Sequence, residues 1–162
     1  MNAAPENKAG IASGESLAPM LRAAHEIWLR EANRFLLPVI MRQAPFWSRW
    51  TAVRFLADQF TAQYRRERAL LNELHPFLPH DTAERLNEKG DRIARLQEEL
   101  DRTGRRRGTA HTVSVVSQRL LHLLRSWCAD IEAAAGNIQR DVLTPAGKQL
   151  VLDFERYRSI YV

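Results

Sequence analysis

Two glutamates on separate predicted helices are the residues of this sequence best placed to do chemistry. Glu31 and Glu67 fall at the edges of apolar stripes that repeat every three or four residues, so both carboxylates can point into a helical bundle. Carboxylate metal centres in such bundles also need a histidine three residues after a glutamate, and none of the 5 histidines stands there. We therefore expect Glu31 and Glu67 to pair with arginine or lysine at the bundle edge, and a carboxylate metal-binding bundle is the least favoured alternative.

The histidines and the single cysteine predict no catalytic or metal-binding centre. His75 and His80 bracket a proline-rich connection, but zinc generally takes three or four protein ligands and Cys128 lies far away in the sequence. Cys128 falls near the edge of an apolar stripe, where we expect a half-buried apolar side chain. His25 lies at the margin of another stripe and shows no partner. The chain has neither a Gly-x-Ser-x-Gly elbow nor a P-loop, so we predict that it is not an enzyme and has no cofactor.

Four arginines around one predicted loop form the sharpest charge feature. Residues 103–109 read Thr-Gly-Arg-Arg-Arg-Gly-Thr, and the four are Arg102, Arg105, Arg106 and Arg107. Arginine binds phosphate and carboxylate through its planar fork, and the chain carries a net charge of +5. We expect no aromatic residue beside the loop to stack on bases. A solvated loop is the favoured interpretation, and nucleic-acid binding through this loop and the basic side of the second helix is the alternative.

A mixed aromatic and basic side of the second predicted helix favours binding to another protein. Phe55 points almost opposite the apolar stripe of that helix, and exposed aromatics interleaved with arginines recur at interfaces. The first helix also has more apolar surface than two-layer packing needs, which favours a central position or contact between copies. We predict an adaptor or regulator that binds a protein partner, or itself as a homo-oligomer, through Trp47, Arg54, Phe55, Arg65, Arg66, Leu29 and Leu36.

Long amphipathic helices must position these residues, because apolar side chains recur at spacings of three and four along the chain. We expect the first helix from Ser16, as its N-cap, to about Arg42, with a kink or an early end at Pro38. The second helix should run from near Pro45 to the proline-rich segment 75–80. Its apolar stripe comprises Phe46, Trp50, Val53, Ala57, Phe60, Tyr64, Leu71 and Leu74.

Three further helices follow. The third should begin after Asp81, which with Glu84 predicts a capping box, and its thin apolar stripe is interrupted by Gly90. The fourth follows the arginine loop, and a shorter last helix begins at Thr144 and Pro145. Short connections make neighbouring helices antiparallel. The sequence thus predicts an all-α fold, an antiparallel up-down four-helix bundle with an additional short C-terminal helix.

Length and composition predict one folded domain. The chain has 162 residues, of which 45% are hydrophobic, enough for a sizeable core. We expect residues 1–14 to form a disordered N-terminal tail and residues 15–162 a single helical-bundle domain. The longest apolar run, residues 35–41, is far shorter than the roughly 20 residues of a membrane-spanning helix. A single cysteine excludes an intrachain disulfide, which favours a cytoplasmic location.

Overall fold

Long amphipathic helices joined by short connections make up the computed structural model, which describes residues 14–42 and 46–160, with the backbone alone for residues 46–48. The helices are α1 Ala18–Ile40, α2 Phe46–Phe55, α3 Thr61–Leu74, α4 His80–Gly104, α5 Ala110–Ala135 and α6 Pro145–Ile160. A π-helical segment, Leu56–Phe60, joins α2 and α3 into one continuous helix. Short 3₁₀ turns at His75–Phe77 and Arg140–Val142 precede α4 and α6.

The packing of these helices confirms the predicted all-α antiparallel bundle. Helix α5 packs most extensively, against α1 on one side and α4 on the other, while α2 contacts both α1 and α4. Helix α6 closes the bundle by packing against α1 and α3. Within residues 14–42 and 46–160, no helix has the length and apolar character needed to cross a membrane.

The buried face of α1 is wider than that of a helix with one neighbour. Its buried side chains include Trp28 and Leu36, and it packs against α2, α5 and α6. Trp28 lies 5.0 Å from Phe60 between ring centroids. The additional apolar side chains predicted for the first helix are therefore buried inside the bundle. Leu36 is fully buried, and Leu29 is half-buried against the core. Of the two positions predicted for this helix, the central one fits.

The π-helical segment rotates the buried face of the second long helix. A π-helical turn holds one residue more than an α-helical turn. A regular three-four spacing continued from α3 towards the N-terminus therefore assigns the wrong residues to the buried face of α2. Phe55, predicted to be exposed, is only 4% exposed, and its ring stacks on Phe35 at 4.5 Å. Trp50, predicted to be buried, is 40% exposed. Both predictions were wrong for this one reason.

The carbonyl group freed by the π-helical segment is held by side chains. Leu56 O accepts hydrogen bonds from Thr61 Oγ1 at 2.8 Å and from Gln97 Nε2 of α4 at 2.9 Å. Thr61 and Gln97 are also hydrogen-bonded to each other. The polar cluster stabilises the irregular turn and ties it to the neighbouring helix, since a buried backbone carbonyl needs a donor.

Of the three predicted N-cap residues, only Thr144 caps its helix. The Thr144 hydroxyl accepts a hydrogen bond from the Gly147 amide at 3.1 Å. The N-cap of α1 is Leu17, one residue after the predicted Ser16, although the Ser16 hydroxyl accepts a hydrogen bond from the Ala18 amide at 3.2 Å. Helix α4, however, begins at His80 after Pro79, with no side-chain cap. The predicted capping role of Asp81 was wrong because Pro79 already turns the chain into the helix.

Gly90 allows two side chains to lie directly on the backbone of α4. A Cβ atom at this position would lie 2.9 Å from Cζ3 and Cη2 of Trp127 and would overlap Nη1 of Arg68. The Tyr64 hydroxyl donates a hydrogen bond to Gly90 O at 2.9 Å. The glycine that interrupts the apolar stripe therefore marks a place where side chains of α3 and α5 lie close to the backbone of α4.

We expect Gly90→Ala to lower the free energy of unfolding by about 1–3 kcal/mol, because the fully buried Trp127 ring has no room to move. This outweighs the gain of about 1 kcal/mol in helix propensity. Gly136→Ala is the matched control, since its Cβ would meet only backbone oxygens at 3.4 Å or more. Urea denaturation of both variants checks the prediction, and equal midpoints for the two would contradict it.

Candidate functional site

The surface predicted on the second long helix is only partly present. Arg54 and Arg65 are exposed as expected, but Phe55 is buried against Phe35 and does not lie on the surface beside them. The Arg66 guanidinium lies over the Tyr157 ring, 5.4 Å from its centroid, and helps to hold α6 in place. Trp47 lies in α2, and its side chain is outside the described residues.

The four predicted loop arginines lie at one end of the bundle, where α4 meets α5. Arg102, Arg105, Arg106 and Arg107 are all exposed, and Arg105 pairs with Asp101 at 2.8 Å. The Arg105 guanidinium also lies 5.4 Å from the centroid of the Trp50 ring. The prediction that no aromatic stands beside this loop was therefore wrong. We call Trp50 and the four arginines the arginine end.

Three adjoining clefts form a groove between α4 and α5, and the sequence did not predict it. Its first part, about 590 Å³, is apolar and is lined by Phe77, Leu78, Ile138 and Val142. A middle part of about 500 Å³ shares Thr82, Ala133 and Ala134 with the first. A third part of about 420 Å³ shares Arg92 with the middle one. We call these three adjoining clefts the α4–α5 groove.

The two ends of the α4–α5 groove differ in chemistry. At the apolar end, Phe77 is 45% exposed and Val142 is 50% exposed. At the other end, Leu96 and Leu123 form an apolar floor beneath Arg92, Arg95, Arg119 and His122. Within the described residues, Arg92, Arg95 and Arg119 form no ion pair, whereas Lys89 in the middle is paired with Asp130. The basic end therefore carries three arginines that are not ion-paired with any described residue.

A buried polar network joins α1, α3 and α5 inside the bundle. His25 of α1 is 1% exposed; its Nδ1 lies 2.7 Å from Glu132 Oε1 of α5, and its Nε2 lies 3.1 Å from Glu67 Oε1 of α3. Gln63 donates a hydrogen bond to Glu67 at 2.9 Å. At each end of the network an arginine contacts it from the surface. The exposed Arg22 lies 3.8 Å from Glu132, and the half-buried Arg66 donates a hydrogen bond to Gln63 at 3.2 Å.

The two glutamates shift the protonation of His25. Burial lowers the pKa of His25, but the charges of Glu67 and Glu132 and the hydrogen bonds to them outweigh it, so the pKa lies above its ordinary value of 6.5. The protonated imidazole donates from both nitrogens, one to each carboxylate. Cys128 of α5 is also buried, and burial together with the charges of Glu67 and Glu132 raises the pKa of its thiol well above the usual range.

The network does not form a metal site. Both imidazole nitrogens of His25 already face carboxylates on opposite sides of the ring, and within residues 14–42 and 46–160 no three potential ligands converge. Glu31, the other predicted candidate, lies near Arg30 and Arg34 at 3.8 and 3.7 Å. The expected pairing with arginine is therefore confirmed for Glu31, whereas Glu67 pairs with a histidine in the core.

Comparisons of this chain with protein-family models, with curated proteins and with solved structures found no match. Function is therefore inferred below from the clefts, charges and contacts of the chain itself.

The raised pKa of His25 makes a definite prediction about stability and pH. A group whose pKa is higher in the folded than in the unfolded protein stabilises the fold below its unfolded pKa, and this contribution is lost as pH rises through the folded pKa. We expect the free energy of unfolding to fall as pH rises above 6.5, by about 1.4 kcal/mol for each unit of the pKa difference.

Denaturation series from pH 6 to pH 9, run on the protein, on His25→Gln and on His122→Gln, check this prediction. His122 is exposed on α5, so its substitution should leave the pH dependence unchanged. His25→Gln should remove most of it. The same slope in the native protein and in His25→Gln would contradict the assignment.

Proposed function

We propose that this chain is a non-enzymatic interaction protein, an adaptor or regulator, that binds another protein through the α4–α5 groove. The observation that carries the proposal is the groove itself, an apolar-floored recess bordered by arginines that have no partner within the described residues. Apolar anchors and arginines contribute most of the binding energy at protein interfaces. This surface replaces those predicted on α1 and α2, because Leu36 of α1 and Phe55 of α2 are buried.

The position of the reactive side chains favours a non-enzymatic role. His25 and Cys128, the histidine and thiol with shifted pKa values, are buried in the core. None of the three clefts of the groove is lined by either residue. Their contacts hold helices together, whereas a catalytic group must reach a substrate.

We also propose a cytoplasmic location, on the ground that the single cysteine is free and buried.

A photo-crosslinking amino acid placed at position 133 tests the proposed surface. Ala133 is exposed and lines both the apolar and the middle clefts, so a bound protein lies within reach of it. In extract of the source cells we expect one discrete protein adduct, measured by gel shift and mass spectrometry. A second copy of the chain in that adduct would identify self-association, which the sequence also predicted.

Two controls make the crosslinking result specific. Position 62 on α3 carries an exposed alanine outside the groove and should give no such adduct. The double charge reversal Arg92→Glu and Arg119→Glu should reduce the adduct at position 133, because both arginines border the groove. Equal labelling at positions 62 and 133, or no adduct at position 133, would overturn the proposed function.

Nucleic-acid binding at the arginine end is the second candidate, and the contact between Trp50 and Arg105 favours it. An exposed aromatic ring among arginines can stack on a base while the cations bind phosphates. Such a complex must weaken steeply with salt. We expect Trp50→Ala with Arg106→Glu to abolish any binding of a single-stranded oligonucleotide, measured by fluorescence anisotropy at two salt concentrations. Salt-insensitive binding, or none by the native protein, would remove this candidate.

A further inference from the structure

We infer that the occupant of the α4–α5 groove is an amphipathic helix of a partner protein, with its acidic residues concentrated over the basic end. This inference rests on the proposed function and adds the chemistry of the partner. The groove matches such a helix in length, in its apolar surface and in its charge.

The length of the groove suits one helix of ordinary size. On α5 the lining residues are Arg119, His122 and Leu123 at one end and Asp130, Ala133 and Ala134 at the other. At a rise of 1.5 Å per residue the distance from Arg119 to Ala134 is about 22 Å, the length of a helix of roughly 15 residues. Thr82 to Leu96 of α4 line the opposite wall. The recess thus runs between two antiparallel helices, parallel to their axes.

Charge complementarity decides which kind of helix fits. Arg92, Arg95 and Arg119 border the basic end without an ion pair inside the described part of the chain. A carboxylate brought to these guanidinium groups forms a charge-assisted hydrogen bond, whereas a lysine or an uncharged side chain would leave them uncompensated. Apolar residues of the same helix would cover Leu96 and Leu123 between the arginines and Phe77 and Val142 at the other end.

The fold already shows how a helix packs across two others in this chain. Helix α6 lies against α1 and α3 and buries Val151, Phe154 and Tyr157, three side chains at successive turns. Arg66 of α3 lies over Tyr157, and Arg140 pairs with Glu155 of α6. An incoming helix in the α4–α5 groove would use the same pattern of apolar anchors and flanking acid–arginine pairs on the opposite side of the bundle.

Two other occupants fit the groove less well. A second copy of the chain, packed groove to groove about a two-fold axis, would place the basic end of one copy over either the apolar end or the basic end of the other. The arginines would then be buried without counter-charges, which is costly. A nucleic acid would satisfy the arginines but would leave the apolar cleft around Phe77 and Val142 uncovered.

Three synthetic peptides of about 18 residues test the inference on the full-length chain. The first has leucines at helical spacing on one face and four glutamates near one end; the second has lysines in place of the glutamates. The third has the composition of the first but no apolar face. With each peptide fluorescently labelled and capped at both ends, we expect the first to bind at least about tenfold more tightly than the other two.

Charge reversals in the protein place the binding in the groove. Arg92→Glu with Arg119→Glu should weaken binding of the first peptide by about tenfold or more. Arg158→Glu with Arg156→Glu, two exposed arginines of α6, change the net charge equally and should have little effect. Equal binding of the lysine peptide or of the peptide without an apolar face, or equal weakening by both double reversals, would overturn the inference.

A second copy of the chain or a nucleic acid in the groove would give results different from those expected for a helix. A dimer in sedimentation experiments that the groove reversal dissociates would assign the groove to a second copy and overturn the helix. Binding of a single-stranded oligonucleotide that the groove reversal abolishes would assign it to nucleic acid. If the acidic peptide fails to bind while adducts at position 133 persist, the acidic helix is wrong and the proposed function stands. If those adducts are absent, the proposed function itself fails.

Discussion

The imidazole of His25 holds three helices in one register, because it is hydrogen-bonded to Glu67 of α3 and to Glu132 of α5. Buried charges are tolerated only when each has a partner, and removing one partner from such a network costs about 3–5 kcal/mol. A slip of α1 by one residue would turn His25 by about 100° away from both carboxylates. The network therefore selects one arrangement of the bundle among the many that its apolar stripes alone would allow.

This arrangement determines which surfaces are left for partners. The wide apolar face of α1 is covered by α2, α5 and α6, and α6 also covers α3. Helices α4 and α5 pack against each other, and the outer side of that pair carries the α4–α5 groove. The functional proposal thus follows from the asymmetry of the bundle, in which α6 lies on one side only.

The spacing of residues along the sequence was sufficient to predict the fold but not the candidate functional site. The spacing of apolar residues predicted the long helices, and Thr144 marked the start of the last helix, because each signal acts within a few residues. His25 was not recognised because its partners lie 42 and 107 residues away. The α4–α5 groove was missed for a related reason: the charges of α4 are typical of a solvated helix face until α5 is placed beside them.

The π-helical segment Leu56–Phe60 has a consequence for comparing sequences. It holds one residue more than a regular helix of the same height, so it behaves as an insertion inside a helix and not in a loop. A homologue without that residue would align with this chain along α3 but one position out of register along α2. An alignment of two such chains needs a gap in the middle of an unbroken helix, and without it Trp50 would be matched to a residue on a different face.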